Sequence, residues 1–205
     1  MSQVSSWSSP LYTTGVKRYR SPARWFHWLT ALLIFAIVPL GWIFAEFKTK
    51  PNSGGHFEAP IPGTVATYAS AHKTLGLLVF VLVVARLAYR FANKPPAFPG
   101  RISWLEAVVA HGTHWILYLV LLVMPVSGYI MSSGGKYPIS IFGLFDFPKL
   151  PVSQDVAKTA AGVHLSAQYA VYGLVILHVA GVCWHLFIHR DDVLSRMLPR
   201  QVNVE

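Results

Sequence analysis

Residues 25–45 run for 21 positions without an Asp, Glu, Lys or Arg, and the stretch opens on Trp25 and Trp28. A helix crossing a bilayer takes about 20 mostly apolar residues, and Trp and Tyr collect where lipid meets water. The stretch therefore predicts a membrane span, and the rest of the chain must be compatible with lipid. Two further runs agree: 29 residues between Glu106 and Lys136, and 31 between Lys158 and Arg190, carry no formal charge. A fourth span is less obvious, because only the 12 residues Thr74 to Ala85 lie between Lys73 and Arg86. A helix from about Thr64 to Ala92 resolves this if Lys73 reaches one surface and Arg86 and Arg90 the other on their aliphatic stems. Proline-rich segments around Pro51 to Pro62, Pro95 to Pro99 and Pro138 to Pro151 divide the four. Pro39 and Pro125 fall inside spans, which membrane helices tolerate as kinks.

Composition fits this reading: 54% hydrophobic and 12% charged residues, with a mean hydropathy of +0.46, exclude an ordinary soluble globule. In such a chain a net charge of +9 reflects positive-inside topology and calls for no nucleic acid. Four helices place both termini on one side. Eleven of the seventeen Lys and Arg residues sit on that side: Lys17, Arg18, Arg20, Arg24, Arg86, Arg90, Lys94, Arg101, Arg190, Arg196 and Arg200. The expectation is an all-α, integral-membrane four-helix bundle, with residues 1–24 a cytoplasmic tail, 25–190 the transmembrane domain and 191–205 a second cytoplasmic tail. The Ser- and Thr-rich start does not have the layout of a cleaved signal peptide. Beyond it no repeat or low-complexity tract is apparent. The single cysteine, Cys183, forms no internal disulfide, and no C-x-x-C-H haem attachment site is present.

Nine histidines carry the chemistry. His164 and His178 are 14 residues apart in one span, a rise of about 21 Å and nearly four full turns, so they share a face at two depths. That separation fits two flat macrocycles stacked across the hydrocarbon core. Depth then selects the opposite partners: His72 with His164 near the outer surface, His27 with His178 near the inner one. Gly76, one turn after His72, leaves room for a ring to approach the backbone. His111 and His114, which open the third span, compete with His27 for the inner site. His56, His185 and His189 have a structural or interfacial reading. Neutral imidazoles suit Zn, Cu, Ni and Fe, but a closed Zn site normally takes four ligands and these pairs have no Cys, Asp or Glu beside them. Two imidazoles on opposite sides of a plane suit haem iron, with no coordination position open for dioxygen. Electron transfer is the chemistry that remains, and no separate catalytic residue is identified.

The runs Arg-Trp-Phe-His-Trp-Leu at 24–29, Ala-His-Lys-Thr-Leu-Gly at 71–76, Val-Val-Ala-Arg-Leu at 83–87, His-Gly-Thr-His at 111–114 and Met-Pro-Val-Ser-Gly at 124–128, with His164 and His178, resemble the bacterial cytochrome b561 family over residues 17–200. The resemblance implies an inner-membrane four-helix protein enclosing two non-covalent b-type haems, with His27, His72, His164 and His178 at the ligand positions. Some members are similar to a superoxide oxidase that passes electrons from periplasmic superoxide to ubiquinone. Haem propionates need cationic donors. Arg24, Arg86 and Arg90 on the inner side and Lys73 on the outer side either serve them or simply set topology. Outside, six lysines outnumber four carboxylates, an excess able to steer an anion. The leading expectation is thus a di-haem electron carrier between a periplasmic donor, superoxide or a redox partner, and the quinone pool. Two alternatives are the cytochrome anchor subunit of a larger redox complex and a metal-ion transporter; the spans hold no carboxylate to favour the latter.

Overall fold

The computed structural model describes residues 17–49, 64–97 and 102–199. The Ser-rich start, the first outer loop with His56, and Arg101 and Arg200 lie outside them. Four long helices make up the chain: α1 (Ser21–Thr49), α2 (Thr64–Ala92), α3 (Trp104–Ser133) and α4 (Gln154–Trp184). All four are long and apolar enough to cross a membrane. Helix α1 starts four residues before the apolar run, because Ser21-Pro22 is a favourable helix entry: proline in the first turn gives up only an N–H that would be unpaired anyway. Helix α3 starts on a capping box, in which Ser103 Oγ accepts from the Glu106 N–H at 3.3 Å while Glu106 Oε2 accepts from the Ser103 N–H at 2.8 Å. Ser153 caps α4 through the Val156 N–H.

Helix α1 packs on α2, α2 on α3 and α3 on α4. Long side chains join α1 to α4; Trp42 Nε1 donates to Tyr172 Oη at 2.7 Å. The buried centre is small: Val79 and Val83 of α2, Tyr118 and Leu121 of α3 and Val171 of α4. Large apolar residues such as Phe35, Leu119 and Ile176 face outward. That inversion is expected when the surrounding solvent is hydrocarbon and a bare apolar surface costs nothing.

Two connections shape the ends. Between α3 and α4, β1 (Ile139–Ile141) and β2 (Phe145–Phe147) pair antiparallel, Ile139 opposite Phe147, across a turn with positive φ at Phe142 (49°) and Gly143 (74°). Two left-handed central residues make a tight hairpin turn whose twist matches its strands. At the other end α4 loosens into a π-helical turn, His185–His189, and stops on Arg190 in left-handed geometry. Residues beyond it fold back instead of trailing away as a tail. Arg196, 7% exposed, donates to the carbonyls of Lys17 (2.8 Å) and Ala97 (2.7 Å), tying three segments of this face together.

Candidate functional site

Helix geometry brings imidazoles together at two levels. At the hairpin end, the rings of His72 (α2) and His164 (α4) have centroids 6.3 Å apart. At the end holding residues 17 and 199, His27 (α1) and His178 (α4) are 6.0 Å apart. Two imidazoles on opposite faces of one metal, each about 2 Å from it through a ring nitrogen, have centroids roughly 6 Å apart. Both pairs therefore have the separation of two ligands sharing one metal. Among the described residues no three His, Cys, Asp or Glu side chains converge as they would on a bare divalent ion. The pairs fit iron held in a macrocycle, whose ring supplies the other four donors.

The pair at the hairpin end, outer in the expected topology, is oriented by neighbouring helices. His164 Nδ1 donates to the Met124 carbonyl at 2.8 Å, with Ser127 Oγ at 3.3 Å. That hydrogen bond puts the proton on Nδ1 and leaves the Nε2 lone pair for a metal. His72 Nδ1 is buried beside the Ile37 carbonyl without a well-formed hydrogen bond. Each ring also lies against a glycine across the helix interface. A Cβ on Gly41 would sit 3.0 Å from His72 Cε1, and one on Gly128 would sit 3.0 Å from His164 Cε1. These two cradles, with the carbonyls four residues before them, were not identifiable from spacing within one helix. Pro39 and Pro125 beside them are the sequence signal that could have pointed there. Gly76 lies against α1, where a Cβ would meet Ile37 Cδ1 in ordinary contact at 3.6 Å.

The pair at the opposite end, inner in the expected topology, has more company. Arg86 Nη2 lies 3.0 Å from His27 Nδ1, and its guanidinium covers the Tyr118 ring at 5.3 Å. Arg90 stacks over Trp115 at 5.6 Å. His114 approaches His178 to 5.2 Å between centroids, whereas His111, three residues earlier, is exposed. Arg24 donates to the Leu198 carbonyl at 3.0 Å and Trp28 Nε1 to Met197 at 2.8 Å, so this arginine anchors the returning C-terminal segment. His185 pairs with Asp191 and His189 with Glu106, each at 2.7 Å, which gives both histidines a structural occupation.

Over the outer pair the hairpin is strapped to the turn of α2 that carries His72. Ser70 Oγ donates to the Ser140 carbonyl, the Phe142 N–H donates to Thr74 Oγ1, both at 3.0 Å, and Lys73 Nζ reaches the Pro138 carbonyl at 3.4 Å. Lys73 thus helps hold the cover in place.

The family model described as prokaryotic cytochrome b561 matches residues 18–200. Cytochrome b561 homolog 2 of Escherichia coli is 31% identical over 191 residues, covering 92% of this chain and 95% of the relative. The probable superoxide oxidase CybB of Yersinia pestis is 25% identical over 187 residues, covering 90% and 98%. Cytochrome b562 of Cereibacter sphaeroides is 27% identical over 178 residues, covering 85% and 91%.

Proposed function

From the premise that the chain belongs to the prokaryotic cytochrome b561 family, we propose that it carries electrons between the two membrane surfaces through two b haems, one at each imidazole pair. Haem b binding and transmembrane electron transfer come with the family; the number of haems, their ligands and the substrates are the content of the proposal. The carrying observation is the recurrence of one ligand separation, 6.0 and 6.3 Å, at positions 14 residues apart on α4. His72 and His164 would hold the outer haem, and His27 and His178 the inner one. Bound there, haem would supply reversible one-electron chemistry.

The residues set up that chemistry. The carbonyl of Met124 fixes the ligating tautomer of His164, and the glycines admit the rings. The hairpin and lipid-facing side chains keep bulk water from the outer site, which keeps the electrostatics around it strong. The bacterial membrane is the setting, with lipid as the immediate partner. The proposed direction runs from the outer face, where superoxide is the donor, to the quinone pool. Each superoxide gives up one electron and leaves as dioxygen; a quinone takes two such electrons and two protons and becomes quinol. The relationship to a relative named as a probable superoxide oxidase supports that donor, and the outer lysines favour an anion.

The purified chain is expected to contain two haems b, and rapid mixing with superoxide is expected to reduce them and, with ubiquinone present, to form quinol. Haem that stays oxidised under superoxide overturns the donor, and a haem content of one per chain overturns the two-site reading.

A further inference from the structure

His72 and Arg86 are 14 residues apart on α2, as His164 and His178 are on α4. Nearly four helical turns put the members of each pair on one face at two levels, so α2 gives an imidazole to the hairpin-end site and a guanidinium to the opposite one. The two sites therefore differ in charge. At the hairpin end the rings meet neutral groups: the Met124 carbonyl, Ser127 Oγ and the glycines Gly41 and Gly128. Lys73, next to His72, extends its ammonium to the Pro138 carbonyl. At the opposite end part-buried Arg86 lies against the His27 ring, and its guanidinium and that of Arg90 both lie over the buried ring of Tyr118, at 5.3 and 5.9 Å. Neither arginine has an ion-pair partner among the described residues, where Asp191 is held by His185 and Glu106 by His189. Two cations at one ring without a carboxylate are costly unless negative charge arrives there.

In electron transfer the arriving charge is the electron itself. Reduction of a ferric haem adds one negative charge, and a nearby cation favours the reduced form. A guanidinium keeps its charge in proteins and acts through space, whichever ring nitrogen faces it. At a few ångströms, with an effective dielectric constant of about 20, a unit charge shifts an equilibrium by roughly tenfold or more. Building on the two-haem reading, we propose that Arg86 raises the reduction potential of the haem at His27 and His178 above that of the haem at His72 and His164, so that electrons run downhill from the hairpin end to the arginine end. In that step one site is oxidised as the other is reduced, and no bond or proton changes. In the expected topology the electron moves inward, against an inside-negative membrane potential, and the gap set by Arg86 offsets part of that opposition. Arg90, one turn further along α2 and stacked on Trp115 at 5.6 Å, has the smaller part.

The test uses the purified, haem-loaded chain, with haem counted per chain and the couples resolved by spectroscopic redox titration. Wild type is expected to hold two haems with separate midpoint potentials. Gly128→Ala, which crowds His164, marks the hairpin-end couple by moving or depleting it, and that couple is expected to be the lower one. Arg86→Met is expected to lower the upper couple by about 59 mV or more, tenfold in a one-electron equilibrium, and to leave the lower couple in place. Arg86→Lys keeps a positive charge and is expected to restore most of the gap. Two haems whose upper couple ignores Arg86→Met overturn the inference and leave the two-haem reading standing. Coincident potentials in wild type, an upper couple marked by Gly128→Ala, or a shift that Arg86→Lys shares in full do the same. Loss of a haem from either Arg86 variant assigns the guanidinium to holding the group instead of tuning it, and also overturns the inference. A wild-type chain with only one haem overturns the two-haem reading itself.

Discussion

A hydrogen in place of a side chain at residue 128 lets His164 lie against α3 and reach the Met124 carbonyl. Gly128→Ala would put a methyl 3.0 Å from Cε1 and 3.1 Å from Nδ1 of that ring. The substitution favours the helix by about 1 kcal/mol, while overpacking a fitted contact costs about 1–3 kcal/mol. The two nearly offset, so thermal stability is expected to change little while the ring is pushed off its acceptor. The expected outcome is reduced outer-haem occupancy or a shifted outer-haem midpoint potential, with the inner haem unaffected. Gly112→Ala, where a Cβ would meet nothing within 4 Å, is the control and should leave both haems unchanged. Potentiometric titration of the two variants decides it; equal behaviour would remove the cradle from the site. Histidine depth was legible in the sequence because helical rise is fixed per residue. The glycines were not, because spacing along one helix says nothing about which residue of its neighbour faces it, and Gly76, chosen from its own helix, lies against Ile37.

At the scale of elements the β1–β2 hairpin is tied to the bundle chiefly through α2, and Thr74 is its central attachment there, 2% exposed and accepting from the Phe142 N–H. Thr74→Val keeps the shape and removes the acceptor, a loss of about 0.5–1.5 kcal/mol. Gly143→Val loads a left-handed position, φ 74°, at a cost of about 1–2 kcal/mol. Both substitutions are expected to speed proteolysis between Tyr137 and Pro148 several-fold without lowering helical circular dichroism, and to speed reduction of the outer haem by a bulky donor if the hairpin is its cover. Unchanged cleavage would mean that other contacts hold it. The four helices were legible because uncharged runs of this length have few other solutions, and the starts of α3 and α4 are set by capping side chains at Ser103 and Ser153. The hairpin was not, because three-residue strands are too short to show an alternating pattern; the sequence signalled only a proline-rich connection between two spans.

For the molecule as a whole, the direction of electron flow depends on which end faces the cytoplasm, and the charges supply an argument. The end bearing Arg24, Arg90, Lys94, Arg190 and Arg196 is the more basic one, and chains insert so that such ends stay inside. On that expectation the hairpin faces outward, and the proposed donor would meet the pair His72 and His164 first. Two of the lysines there already bond to loop carbonyls, Lys73 to Pro138 and Lys149 to Gly135. They still contribute positive potential, since a hydrogen bond to a neutral carbonyl leaves the ammonium charge in place, so an anionic donor would be drawn to this end at low salt and less so at high salt. Cys183 is the single cysteine of the sequence, so Cys183→Ser provides a background for placing labels. A cysteine introduced as Lys149→Cys is expected to react with a membrane-impermeant maleimide in intact spheroplasts, and one introduced as Lys94→Cys only after the membrane is opened. The reverse pattern would put the hairpin in the cytoplasm. Electrons from a periplasmic donor would then have to enter at the arginine-flanked pair His27 and His178, and the proposed route would run the other way.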